Sequence, residues 1–161
     1  MNLIKNNCLV VSAFLLLAVI IEAATPKITN VLPRGGQRGS SVEVTITGSY
    51  LGDTEEIFFH SEGIKTEKIT PVKDTQFKAT LAISPEAKLG QYEMRVRTAS
   101  GLSTMKTFWV GPFPNVAEAE PNSEFEAAQK VSMNSTVNGV ILNEDVDYYE
   151  VEVKKGQQIS A

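Results

Sequence analysis

The chain has 161 residues, 42% of them hydrophobic and 21% charged, with a formal net charge of −4. That composition suits a folded globular chain and lacks the basic footprint of a general nucleic-acid binder. One cysteine and one histidine exclude an internal disulfide and a Cys/His zinc cage.

Residues 1–24 begin with Lys5 in a short polar stretch. Leu9 to Ile21 follow, apolar throughout except for Ser12, and then the small residues Ala23 and Ala24. This is the layout of a secretory signal peptide, with an apolar core shorter than the roughly 20 residues of a membrane-spanning helix. The alternative is an uncleaved anchor. Cleavage after Ala23 or Ala24 removes Cys8, leaves a mature chain without cysteine, and implies no stable membrane insertion. Localisation then follows the secretory route, to the periplasm, the cell surface or the medium.

Charge divides what remains. Residues 25–111 carry eleven lysines and arginines against nine acids, whereas 112–161 carry three against nine. The Gly111-Pro112-Phe113-Pro114-Asn115 stretch has linker composition, so residues 112–117 are assigned to a linker. In 25–111, apolar residues alternate with polar ones at Val42–Thr47, Phe77–Ile83 and Tyr92–Arg97. Ile28–Leu32, Glu56–His60, Thr66–Val72 and Met105–Val110 are further strand candidates. Turn residues separate them at Pro33–Gly36, Gly48, Gly63 and Ser100-Gly101, and Ser84–Gly90 has the cap, proline and terminal glycine of one helical turn. About seven short strands without a helical period indicate an all-β, immunoglobulin-like β-sandwich.

The run Pro26–Pro33, the turn Gly35-Gly36-Gln37-Arg38-Gly39 and the strand Val42–Gly48 together resemble the opening of an IPT/TIG domain. The resemblance spans 26–111 and implies an immunoglobulin-like sandwich with nothing catalytic in it. Phe58–Gly63 departs from that family's usual short V-x-F-G element.

The acidic segment reads Glu118-Ala119-Glu120-Pro121-Asn122, then Val137–Ile141, then Asp145-Val146-Asp147-Tyr148-Tyr149, with a Lys154–Ile159 turn. In this order the motifs resemble the N-terminal part of a bacterial pre-peptidase C-terminal domain, over 118–161. That implies a partial, jelly-roll-like second sandwich of a secreted protein, and in some members bound calcium. By position the matching ligands are Glu118, Glu120, Asn122 and Asp145, with Asp147 a fifth. Calcium takes hard oxygen ligands, and carboxylates gathered from separate segments repel unless a cation joins them; otherwise these acids are simply solvated. Ser123–Glu126 has the form of a capping box, alternation places Tyr149 in a core with Val151 and Val153, and Asn134-Ser135-Thr136 is a glycosylation sequon.

No nucleophile, metalloprotease or phosphate-loop motif is present, and His60 stands alone between Phe59 and Ser61. The expectation is a non-catalytic binding, adhesion or spacer module pair of a larger secreted bacterial protein. The alternative is the accessory front end of a secreted hydrolase whose catalytic domain lies elsewhere. The implied partner is an extracellular protein or a polysaccharide, not nucleic acid. Forty-four residues from Glu118 are few for a closed sandwich, which predicts open strand edges there.

Overall fold

Alternation in the sequence becomes strands in the computed structural model, which describes residues 25–160 apart from 71, 72 and 144. The expected signal peptide and Cys8 lie outside the described residues. Four strands form one antiparallel sheet in the order β1 (Lys27–Leu32), β3 (Ser41–Ser49), β6 (Gln76–Ile83), β5 (Ile64–Ile69). The second sheet runs β2 (Gly35–Gln37), β9 (Lys106–Gly111), β7 (Gly90–Thr98), β4 (Thr54–Phe59), with the short β8 (Gly101–Leu102) paired to β7. This is an all-β sandwich.

Every second side chain of β6 (Phe77, Ala79, Leu81, Ile83) and of β7 (Tyr92, Met94, Val96) is buried, as a period of two requires. Ile28, Val44, Ile46, Phe108 and Val110 join them in one core, and Phe59 meets the ring of Phe108 edge-on at 6.2 Å. Where β8 leaves β7, the buried Ser103 completes the backbone pairing. Its hydroxyl accepts from the Val96 N–H at 2.8 Å and donates to the Thr104 carbonyl at 2.9 Å.

Three local expectations change. Gly35–Gln37 is not a turn but a strand parallel to β9, with Gly35 opposite Trp109; three residues containing two glycines show no alternation to read. Gly48 lies inside β3 opposite Ile28 of the paired β1, which runs so close that a Cβ would sit 1.9 Å from the Lys27 carbonyl oxygen. Ser84–Gly90 is a hydrogen-bonded turn without a helix. There the Ala87 N–H reaches the Ser84 carbonyl at 3.1 Å and the Glu86 N–H reaches the Ser84 hydroxyl at 3.1 Å, so the serine side chain serves a turn in place of a helix cap.

Beyond Gly111 the strands are short. Residues 115–117, assigned to the linker, form β10 (Asn115–Ala117), which pairs in parallel with β12 (Thr136–Asn138). In the same way β11 (Gln129–Val131) pairs with β13 (Tyr149–Val151). The first pair is tied to the sandwich by the Arg34 N–H on Asn138 Oδ1 at 3.2 Å and by the Asn115 side chain on the Gly35 carbonyl. No helix of the described residues is long and apolar enough to cross a membrane.

Candidate metal centre

The acidic segment is held by its neighbours before its own carboxylates meet. Gln129 on β11 donates to the Ala117 carbonyl and accepts from the Ala119 N–H, both at 2.9 Å, and so grips the backbone on either side of Glu118. The Glu118 N–H itself donates to the Asn138 carbonyl at 3.1 Å. A few residues on, the Tyr148 N–H donates to the Asn122 carbonyl at 2.9 Å, which brings the 145–149 stretch against 118–122.

As a result Glu118, Glu120 and Asp147 each place one carboxylate oxygen within 4.8 Å of the others. Glu118 is the hub. One of its oxygens accepts from the Tyr149 hydroxyl at 2.8 Å and from the Asn122 amide at 3.4 Å, and the other accepts from the Val140 N–H at 2.7 Å. Glu120 accepts from the Asn122 N–H at 3.0 Å. Asn122 is fully buried, with its side-chain amide against Glu118, yet its Oδ1 has no hydrogen-bond donor; neither has the buried Oδ1 of Asp147. Buried oxygens without donors are costly unless something positive satisfies them.

Electrostatics record the crowding. The Val140 N–H and the Tyr149 hydroxyl hold Glu118 below the usual carboxylate range. Burial, and then the charge of Glu118, push Asp147 up. Burial and the bond to Glu118 raise the Tyr149 phenol to about 12. Each direction is what desolvation and like-charge proximity produce.

Of the five residues read from sequence, three converge and Asn122 lies directly against them. Asp145 is engaged elsewhere, accepting from the Ser123 hydroxyl and from the Leu142 N–H, both at 3.1 Å. Ser123 therefore does not cap a helix: the following 3-10 turn, Phe125–Ala127, has no side-chain cap. Tyr149 is not a core residue either; it is 37% exposed and turned to Glu118. Gln129 carried no signal of its role, because a glutamine reaching two flanking backbone groups leaves no mark in spacing. His60 is exposed and meets Phe58 edge-on.

No protein-family model and no curated protein matches the chain. Among solved structures it is similar to a Bacteroides ovatus protein of a mixed-linkage glucan utilization locus, SGBP-B, in complex with a mixed-linkage heptasaccharide. The identity is 16% and the TM-score 0.38, over 54% of this chain and 24% of that one.

Proposed function

We propose that this chain is a non-catalytic extracellular module in which an IPT/TIG-type sandwich carries a calcium-holding segment of pre-peptidase C-terminal type. In this reading it serves adhesion, binding or spacing in a larger secreted protein, toward an extracellular protein or polysaccharide. The observation that supports it is the meeting of three carboxylates beside the buried Asn122, whose amide nitrogen donates to Glu118 and whose Oδ1 has no donor.

The donor set suits a hard cation. Glu118, Glu120 and Asp147 supply charge, Asn122 Oδ1 supplies a neutral oxygen, and water completes the about six to eight ligands that calcium takes. Magnesium fits less well, because it demands near-ideal octahedral geometry and gives up water reluctantly. Bound here, the ion would add to the Tyr148–Asn122 and Tyr149–Glu118 bonds between the 118–122 and 145–149 segments and so stand in for an apolar core.

Calorimetric titration of the chain lacking its leader tests the reading. A saturable heat with calcium is expected, lost in Glu120→Ala and in Asp147→Asn while the sandwich stays folded by circular dichroism. The absence of heat in millimolar calcium overturns it.

A further inference from the structure

A groove beside Trp109 shares a wall with the acidic cluster. Trp109 on β9 is 53% exposed, and with Val140, Ile141 and Arg34 it lines a groove of about 510 Å³. Val140 is the residue whose N–H rests on the Glu118 carboxylate at 2.7 Å. The preceding Gly139 passes so near that a Cβ would stand 2.7 Å from both Glu118 carboxylate oxygens. One carboxylate thus holds the groove loop through one oxygen, while its other oxygen faces Tyr149 and Asn122. Asn138, just before the loop, is fixed independently through the Arg34 N–H and the Glu118 N–H. Any loosening therefore falls on Gly139–Ile141.

We propose that occupancy of the cation site sets the position of the Gly139–Ile141 loop and thereby the shape of the Trp109 groove. The proposal rests on the cation-site reading above. With no cation, Glu118, Glu120 and Asp147 repel one another within 4.8 Å, and because Glu118 also holds the Val140 N–H, that repulsion strains its grip on the loop. A bound cation reverses the repulsion and holds the carboxylate where the Val140 N–H needs it. The ion interacts differently with the two loop arrangements, which is the condition for it to shift their populations. The form of the groove then depends on calcium.

Trp109 is the only tryptophan of the chain, so its emission reports this groove alone. Calcium is titrated into the leaderless chain while Trp109 emission and its quenching by acrylamide are followed, with calorimetry on the same sample. The expected result is a shift to shorter wavelength and a loss of quenching, both saturating with the calorimetric heat. Glu120→Ala removes a carboxylate whose hydrogen bond goes to the Asn122 N–H and not to the loop, and it should abolish heat and fluorescence change together. Val140→Pro removes the N–H that Glu118 holds, and its Trp109 emission should no longer follow whatever calorimetric heat calcium still gives. Calcium heat with an unchanged Trp109 in the parent protein overturns the coupling and leaves the cation site standing. No heat overturns both. A Trp109 response that persists in Glu120→Ala also overturns the coupling.

Discussion

Gln129 makes two hydrogen bonds that flank Glu118, and through them it decides where the hub carboxylate sits. It is a positioning residue. Gln129→Ala should weaken calcium binding by about 10-fold, the usual cost of losing such outer support, while Gln129→Glu should retain at most the bond from the Ala119 N–H. Calorimetric affinities for the two variants check this. The opposite shifts at Glu118 and Asp147 make the stability of this segment depend on pH. Asp147 holds its proton to higher pH than an ordinary aspartate, so in the cation-free protein its contribution to stability is present below its unfolded value and lost as pH rises through the raised one. Glu118 is lowered; its contribution is present above its ordinary value and lost as pH falls through the folded one. Calcium needs the Asp147 carboxylate without its proton, so affinity should be clearly greater at about pH 7 than at about pH 5, with proton release on binding wherever Asp147 is still protonated. Equal affinities at the two pH values would contradict this account of the pair. In the sandwich, Ser103→Ala leaves the Val96 N–H buried without an acceptor and should cost about 1–3 kcal/mol in urea denaturation.

Strands follow from alternation where one face is buried, and so β3, β6 and β7 could be read from Val42–Thr47, Phe77–Ile83 and Tyr92–Arg97. Gly35–Gln37 could not, because its place is set by parallel pairing with β9, a contact between residues far apart in sequence. Gly48 looks like punctuation and is in fact a strand residue that the paired β1 approaches closely. Gly48→Ala should push β1 away from β3 and cost about 1–3 kcal/mol, the range for a forced fit in a packed region; unchanged thermal stability would contradict that close approach. The same limit applies to the site. Glu118, Glu120, Asn122 and Asp147 were visible as a spaced set of oxygen donors. That Asp147 meets the glutamates while Asp145 turns to Ser123 and Leu142 depends on the Tyr148–Asn122 backbone bond, and spacing cannot express it. Tyr149 was misassigned for the same reason: alternation says which side chains share a face, and only the fold says what that face meets.

Burial is distributed unevenly over the molecule. Every described hydrophobic side chain that is buried belongs to residues 28–110, whereas Phe125, Ile141 and Leu142 are between 68% and 76% exposed. Each of these three forgoes the about 1.5–3 kcal/mol that full burial of such a side chain yields. Three-residue strands in pairs cannot supply the difference, and the described residues of 112–160 are instead organised by polar contacts centred on Glu118. Hydrogen exchange should therefore find the slowest amides in β3, β6, β7 and β9 and the fastest beyond Gly111, with calcium slowing only the latter. In our proposal Glu118, Glu120, Asn122 and Asp147 together hold a cation. Terbium, a luminescent stand-in for calcium, tests it most directly, because the Tyr149 hydroxyl lies 2.8 Å from a Glu118 oxygen and the ring can pass its excitation to an ion bound there. Tyrosine-sensitised terbium emission that saturates, is displaced by calcium and disappears in Glu120→Ala is the predicted result; emission that never saturates, or is unchanged in that variant, would contradict the claim.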